Sequence, residues 1–183
     1  MNPPSISHAM HGATLIVNLS ASDETTGKPA YRRELVSGQS ARLLCGYIYA
    51  SAGDGESTQD VVYSGHNLIA ENGRLLAELE LFDAQMVSTE IDVSRLASER
   101  RRMTTFETVT EPMYRENVFS LQMEETKLTR YIDPMPFVPS KESDRTLRCE
   151  EILSIQSMGL KKRLEHTHCK SAVIGISGGL DST

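Results

Sequence analysis

The sequence predicts an α/β protein, and three observations in residues 1–102 carry that prediction. Residues 13–19 read ATLIVNL, a short, apolar and partly β-branched run that is typical of a buried strand. From Tyr31 to Cys45 the residue pattern changes to helical spacing. Asn72-Gly73 separates two strand-like runs, and this dipeptide is a strong signal for a hairpin turn. Strands and helices that alternate in this way indicate part of an α/β sandwich.

The next elements follow in order along the chain. Residues 20–30, SASDETTGKPA, predict a loop because they are rich in Ser, Thr, Gly and Pro. The helix from Tyr31 is expected to end before Gly46, since glycine favours a helix C-terminus. Its predicted inner face consists of Leu35, Gln39 and Leu43. GYIYASA at 46–52 predicts the second strand, and the polar loop GDGESTQD follows it.

The end of this first part contains a hairpin, a further strand and a helix. His66, in the first arm of the hairpin, is expected to form hydrogen bonds rather than to act as a general base. MVSTEIDV at 86–93 predicts one more strand. Asp92 is expected to cap the helix that runs through VSRLASERRRM, because aspartate is a favoured N-cap residue.

The second part of the chain has a different character. Residues 103–140 contain scattered apolar residues, repeated prolines and no stable period, which indicates an irregular connector between domains. Asp144 then predicts the start of a helix that ends at about His166. A strand, AVIGI at 172–176, is expected next. The predicted domains are therefore 1–102 and 141–183, joined by the connector 103–140.

Composition and charge exclude several functional classes. The 183 residues are 39% apolar and 24% charged, a normal globular mixture. A net charge of −6 argues against nucleic acid as a partner, because such binding needs a basic surface. No apolar run approaches the roughly 20 residues that span a membrane. Three widely spaced cysteines make a disulfide framework improbable and predict the cytoplasm as the location.

Cysteine and histidine positions predict neither a nucleophile nor a metal site. Cys45 and Cys149 lie among apolar residues and are expected to be buried core residues. His166, His168 and Cys169 lie too close together to complete a tetrahedral set, and no partner pair is apparent. We therefore expect a solvated helix terminus there, and no bound metal.

The last residues, SGGLDST, have the pattern of an anion site. In this pattern an apolar strand is followed by a glycine-rich turn and the start of a helix. The free N–H groups at the helix start can bind a negative ligand. The hydroxyls of Ser177, Ser182 and Thr183 can add donors, whereas Asp181 is expected to cap the turn or to contact Mg²⁺. Gly178 and Gly179 supply the close backbone approach. The loop is not the G-x-x-x-x-G-K-[ST] motif, which has no match in the chain.

SGGLDST resembles the pyrophosphate loop of the ATP pyrophosphatase group, whose members split ATP between the α and β phosphates and adenylate a substrate. The motif alone does not choose among those members, but the residues before it do. Gln156, Gly159-Leu160 and Lys162-Arg163-Leu164, with PFVPS at 136–140, resemble the entrance to the synthetase domain of the glutamine-dependent NAD synthetase family.

Residues 1–102 resemble the other half of that family, its carbon–nitrogen hydrolase (nitrilase-like) glutaminase domain. The matching stretches are ATLIVNLSAS, Gly27-Lys28, Tyr47-Ile48-Tyr49, AGDGESTQD and SGHNLIAENGRLLAE. The resemblance implies the rear of a nitrilase-like α-β-β-α sandwich, an irregular connector, and the first helix and strand of a Rossmann-like adenine nucleotide α-hydrolase domain.

The resemblance also implies a reaction. In the family, glutamine is hydrolysed by a Glu, Lys and Cys set, and the ammonia is passed to the second domain. There ATP, with Mg²⁺, adenylates the nicotinate carboxylate of deamido-NAD, and ammonia displaces AMP to give NAD. The expected partners are glutamine, ATP, deamido-NAD and further copies of the chain in a homo-oligomer.

Site residues carry over from the family only where the motifs match. Ser22 and Lys28 are implied to line the glutamine pocket, where a cation can pair with the substrate α-carboxylate. Ser177, Gly178, Gly179, Asp181, Ser182 and Thr183 are implied to bind the ATP pyrophosphate. The glutaminase Cys, Glu and Lys are expected to lie outside this chain, so we expect an internal fragment that is inactive alone.

Two other readings are compatible with the sequence. One is another ATP pyrophosphatase with a fused amidotransferase, because the terminal motif is shared by that whole group. The other is non-enzymatic: a truncated piece that persists only through binding or assembly.

Overall fold

The computed structural model of the chain describes residues 3–109, 114–122 and 127–180. The chain divides into two compact units, Met1–Tyr131 and Ile132–Thr183. The division falls within the stretch 103–140 that the sequence predicts as a connector. No helix in the described ranges has both the length and the apolar character needed to cross a membrane.

The first unit is built on a four-stranded mixed sheet with the order β1-β2-β3-β4. Strand β1, Leu15–Ser20, pairs in parallel with β2, Gly46–Ser51. Strand β2 pairs antiparallel with β3, Leu68–Glu71, which pairs antiparallel with β4, Arg74–Glu78. Since helices accompany this sheet, the α/β class predicted from the sequence is confirmed.

The described residues of the same unit form three α-helices: α1 Pro4–Met10, α2 Lys28–Leu43 and α3 Val93–Arg102. Helix α2 is the crossover that two parallel neighbours such as β1 and β2 require. Helix α1 is not predicted from the sequence, and its start is explained by a proline at a first-turn position. A short 3₁₀ turn, Asp54–Glu56, lies in the polar loop after β2.

The core lies between helix α2 and one face of the sheet. Its buried apolar residues include Val36, Leu43, Tyr47, Tyr49 and Leu68. The predicted inner face of α2 is only partly correct, because Leu43 is buried but Leu35 is 53% exposed. The buried positions of the helix are Arg32, Val36, Ser40 and Leu43. Arg32 therefore lies on the buried face of α2, where the helical pattern predicts only apolar residues and Gln39.

The hairpin between β3 and β4 is confirmed at Asn72-Gly73. Both residues have positive φ, 44° for Asn72 and 85° for Gly73, as a two-residue type I′ turn requires. A Cβ added at Gly73 would lie 2.9 Å from the Cβ of Ala41 in α2. Glycine is thus needed here for the backbone conformation and for close packing against the helix.

The region before α3 agrees with one prediction and contradicts another. The Asp92 cap is confirmed, because Asp92 Oδ1 accepts a hydrogen bond from the Arg95 N–H at 2.8 Å. The strand predicted over residues 86–93 is wrong, since residues 86–92 form no regular element. Alternating residues alone do not make a strand when no neighbouring strand pairs with them. Instead, Glu71 Oε1 accepts from the Asp92 N–H at 2.6 Å and holds this segment to the sheet.

The second unit contains helix α4, Glu142–His166, so the predicted helix and its end are confirmed. The predicted cap at Asp144 is wrong, because the N-cap residue is Lys141 and Asp144 lies inside the first turn. The strand predicted at 172–176 is not formed: residues 171–177 have no regular structure, and Val173, Ile174 and Ile176 are exposed. A strand in a parallel sheet needs a neighbour for its backbone groups, and the described residues of this unit contain none. Cys149 is exposed, so its predicted core role is also wrong.

The fold predicts a sharp contrast between two leucines in stability measurements on this chain. Leu68 is 0% exposed in strand β3, whereas Leu19 in β1 is 80% exposed. We expect Leu68→Ala to lower the free energy of unfolding by about 2–5 kcal/mol through lost burial and a cavity. Leu19→Ala should change it by about 0.5 kcal/mol or less. Urea unfolding followed by circular dichroism measures both, and equal effects would contradict the described core.

Candidate functional site

The carboxyl ends of β1 and β2 form one corner of the first unit. Ser20 and Ser51 end the two strands and face each other in the parallel register. The Ala52 N–H donates to the Ser20 carbonyl at 2.8 Å, so the two chains leave the sheet side by side. Loop 21–27 begins here and leads into α2. Ligands of α/β proteins bind preferentially at such strand ends.

Both residues predicted to bind glutamine lie on this one connection. Ser22 is half-buried and lies two residues beyond β1, and Lys28 is the first residue of α2. Gly27 precedes the helix with φ of 84°, a conformation that glycine adopts without strain. The amino end of a 16-residue helix adds a partial positive charge to the lysine. The local electrostatics at Ser22 and Lys28 therefore suit an anionic group.

Lys28 already holds a carboxylate from its own loop. Its Nζ donates to Asp23 Oδ1 at 2.9 Å and also to the Asp23 carbonyl oxygen. The hydrogen bond and charge of Lys28 hold the pKa of the Asp23 carboxyl below its usual value. The pair is open to solvent, and solvated pairs of this kind are weak and exchange easily. A carboxylate thus fits against Lys28 and can be replaced there by another one.

Beneath the loop, Arg32 forms a buried ion pair with Glu24. The Arg32 side chain is 3% exposed, and its Nη1 donates to Glu24 Oε2 at 3.0 Å. The same nitrogen donates to His66 Nδ1 at 2.8 Å, and the guanidinium lies 5.8 Å from the centre of the Tyr49 ring. A buried guanidinium needs such partners, because a charge removed from water without them is strongly unfavourable.

His66 continues this network to the edge strand. The ring is wholly buried, and its Nε2 lies 2.6 Å from Glu78 Oε1, which also accepts from Arg33 Nε at 2.5 Å. Since arginine can only donate, Nδ1 of His66 must accept from Arg32, and Nε2 carries the proton that it donates to Glu78. The predicted hydrogen-bonding role of His66 is confirmed, although its partners lie on a helix and a neighbouring strand.

Desolvation acts to raise the pKa of the Glu78 carboxyl, but the hydrogen bonds from His66 and Arg33 outweigh it. The net result is a pKa below the ordinary value, so Glu78 is ionised near neutral pH. The network therefore contains two carboxylates, one at each end, that balance the arginines.

Sequence reasoning missed most of this network, which we call the Arg32 network. Its members are Glu24, Arg32, Ser64, His66 and Glu78. The available signal was weak: Arg32 stands four residues before the core residue Val36, hence on the buried face of α2. A charged residue on that face indicates a buried partner, which the sequence alone does not identify.

The predicted pyrophosphate loop lies in the second unit, and the structure describes only part of it. Gly178 has φ of 80°, so the turn uses the left-handed conformation that favours glycine. Ser177 and Gly179 flank it. Asp181, Ser182 and Thr183 lie outside the described residues, so the anion site predicted there stays a prediction.

Neither the buried cysteine of the first unit nor a nearby cavity contributes a reactive group to the corner at the ends of β1 and β2. Cys45 is buried, and burial raises the pKa of its thiol to about 11, so little thiolate forms near neutral pH. A cavity of about 320 Å³ lies between α1, β1 and α2, and neither Ser22 nor Lys28 lines it. Within the described ranges, no group of three or more His, Cys, Asp or Glu side chains is placed to hold a metal ion.

Comparison with known proteins gives a consistent set of relatives. No protein-family model matches the chain. The glutamine-dependent NAD(+) synthetase of Mycobacterium tuberculosis is 41% identical over 192 aligned positions, covering 99% of this chain and 28% of that protein. The enzyme of the same name from Mycobacterium leprae gives the same identity and coverage.

This chain is homologous to part of the glutamine-dependent NAD(+) synthetases. It spans 28% of the length of these curated relatives. A solved glutamine-dependent NAD(+) synthetase from Cytophaga hutchinsonii is 38% identical where it aligns, with a TM-score of 0.40, covering 43% of this chain and 13% of that one. The 41% identity to the curated relatives confirms the resemblance that the sequence motifs indicate.

The tautomer assigned to His66 can be measured directly. We expect a neutral imidazole with the proton on Nε2, because Arg32 donates to Nδ1 and Glu78 accepts from Nε2. Long-range ¹H–¹⁵N correlation spectra of the histidine rings distinguish the two nitrogens. Arg32→Leu should remove the fixed donor and shift the Nδ1 resonance, whereas His168, exposed in the second unit, serves as the reference ring. A protonated Nδ1 in the unchanged chain would contradict the described network.

Proposed function

We propose that this chain is part of a glutamine-dependent NAD synthetase and that its first unit helps to bind glutamine. The observation that carries the proposal is the 41% identity to the Mycobacterium tuberculosis enzyme over 99% of the chain. Identity that extends across both units supports a joint origin for them. The proposed parent activity is an ATP-dependent carbon–nitrogen ligase that converts deamido-NAD to NAD with ammonia from glutamine.

In this proposal the first unit is the rear of a nitrilase-like sandwich, and the corner at β1 and α2 binds the amino-acid end of glutamine. Lys28 pairs with the α-carboxylate, as it does with Asp23 in the structure. Ser22 adds a hydroxyl from the same loop. The bond that is cleaved lies at the other end of the substrate, so these residues bind and orient glutamine rather than attack it.

The second unit is proposed to begin the Rossmann-like synthetase domain. Its terminal residues 177–183 would hold the pyrophosphate that leaves ATP, through backbone N–H groups and hydroxyls. A phosphate loop of this type acts by stabilising the negative charge of the leaving group. Mg²⁺ accompanies ATP in such reactions, and the described residues contain no cluster of three or more His, Cys, Asp or Glu side chains that could hold it.

The wider setting is proposed on the same basis. The substrates of the intact enzyme are glutamine, ATP and deamido-NAD. The enzyme is proposed to form a homo-oligomer and to act in the cytoplasm. None of these features depends on nucleic acid or a membrane.

The chain by itself is expected to be inactive. Cys45 is buried with a raised thiol pKa, and Cys149 and Cys169 belong to the second unit, which is not the proposed glutaminase part. Purified chain should therefore release no ammonia from glutamine above a buffer blank in a coupled glutamate dehydrogenase assay. Detectable hydrolysis that is lost in Cys45→Ala would contradict this expectation.

Lys28 provides the direct test of glutamine binding in the full-length enzyme. We expect Lys28→Ala to raise the KM for glutamine about 10- to 100-fold, because a charge-assisted hydrogen bond is lost. NAD formation with free ammonia should stay within about twofold, since that route bypasses the glutamine site. Lys28→Arg should restore the KM, because arginine keeps the charge and adds a bidentate fork.

Lys127→Ala serves as the matched control, because Lys127 is an exposed lysine of the same unit. Its KM for glutamine should equal that of the unchanged enzyme. An unaltered KM in Lys28→Ala would refute the glutamine role of this corner. Absence of both glutamine- and ammonia-dependent NAD formation in the unchanged full-length protein would refute the proposed activity itself.

A further inference from the structure

We propose that Glu24 is a positioning residue that fixes the glutamine loop in its binding conformation. This inference rests on the proposed function, because it assigns the support of the Ser22 and Lys28 site. Glu24 lies between those two residues in sequence, yet its side chain turns inward and is only 9% exposed. A loop residue that buries a carboxylate anchors the residues on either side of it.

Three hydrogen bonds attach Glu24 to elements on both sides of the loop. Its Oε2 accepts from Arg32 Nη1 at 3.0 Å, on helix α2, and from the hydroxyl of Ser64. Its backbone N–H donates to the Val62 carbonyl at 2.7 Å. The centre of the loop is thereby held from the helix and from the segment before β3.

Backbone hydrogen bonds fix the two ends of the loop, and the Lys28 side chain adds its exposed contact with Asp23. Ser20 accepts from the Ala52 N–H at 2.8 Å at the strand end, and the Lys28 N–H donates to the Thr25 carbonyl at 3.1 Å at the helix start. Ser22 stands between the first of these anchors and Glu24. Among the described residues, the intervening Asp23 is held only through its exposed contacts with Lys28, so Glu24 is the nearest residue to Ser22 with a largely buried, hydrogen-bonded side chain. The position of Ser22 therefore depends on the Glu24 side chain.

Arg32, the partner of Glu24, is itself held in place by the other members of the Arg32 network. Arg32 is held by His66 Nδ1 at 2.8 Å, and His66 is held by Glu78 Oε1 at 2.6 Å. Each partner is itself oriented by the next one. A binding site whose supporting residues are locked in this way loses less free energy when the ligand orders it.

Stability alone is a poor explanation for this carboxylate. Glu24 Oε1 and Arg32 Nη2 are buried, and neither has a hydrogen-bond partner among the described residues. A buried ion pair that is incompletely satisfied contributes little net stability compared with an apolar pair of the same shape. The arrangement instead gives the loop a defined place, which is what a pre-formed binding site requires.

The unpaired Oε1 makes a conservative variant possible. In Glu24→Gln, the amide oxygen can replace Oε2 and keep both accepted hydrogen bonds, while the NH₂ group takes the position of Oε1. Glu24→Ala removes both hydrogen bonds. Comparison of the two variants separates the geometric role of the side chain from its charge.

The test measures glutamine- and ammonia-dependent NAD formation by the full-length enzyme. We expect Glu24→Ala to raise the KM for glutamine at least about tenfold, with the ammonia-dependent kcat within about twofold. Glu24→Gln should return the KM to within about threefold of the unchanged enzyme. Glu34→Gln, the same charge change at an exposed position of α2, should leave both parameters unchanged.

Three outcomes separate this inference from the proposed function. An unchanged KM in Glu24→Ala, with Lys28→Ala impaired, overturns the inference and leaves the glutamine site intact. Unchanged KM values in both variants overturn the site itself. If Glu24→Ala lowers the glutamine- and ammonia-dependent activities in proportion, the same two activities are measured in Ser64→Ala, which removes one hydrogen bond to Glu24. A raised glutamine KM with normal ammonia activity then supports positioning, and an unchanged KM overturns it.

Discussion

Arg32 carries its charge on the buried face of α2, where the side chain is 3% exposed, and the first unit is organised around the need to pair that charge. Glu24 reaches it from the loop after β1, and His66 reaches it from the segment before β3. Removing one partner of a buried ion pair is strongly destabilising, because it leaves the other charge uncompensated. The two connections are thus tied to the helix by electrostatics, whereas the strands are tied to it by apolar packing.

This division explains how the same corner can be well ordered and yet open to a ligand. The inner side of the loop is held by Glu24, whereas the outer side presents Lys28, whose present partner Asp23 is solvated. The exposed Lys28–Asp23 pair is weak, so an incoming carboxylate can take the place of Asp23. The buried Arg32–Glu24 pair keeps the loop backbone fixed during that exchange. In this account the fixed position of loop 21–27 determines which substrate fits, and the charge of Lys28 contributes to the affinity for its carboxylate.

The elements were predictable where local sequence decides them. Asn72-Gly73 fixes a hairpin through its backbone conformations, and Asp92 begins a helix through its own side chain. The strands predicted at 86–93 and 172–176 failed because strand formation depends on a neighbour, which no local pattern supplies. The Arg32 network was missed for a related reason. Its members are separated by up to several dozen residues, and only the packing of α2 on the sheet brings Glu24, His66 and Glu78 together.

The sequence motifs identified the homologous proteins but not the side-chain contacts within the site. Gly27-Lys28 and SGGLDST pointed to the family of homologues that the chain matches at 41% identity. They did not reveal that Lys28 is paired with its neighbour Asp23. That pairing is the feature on which substrate entry depends in the proposed mechanism.

A structure of the full-length enzyme with glutamine bound at the corner tests these ideas most directly. It should show the substrate α-carboxylate within about 2.7–3.2 Å of Lys28 Nζ, with Asp23 displaced and Glu24 still on Arg32. Glutamine bound elsewhere, with Lys28 still paired to Asp23, would contradict the assignment of this site.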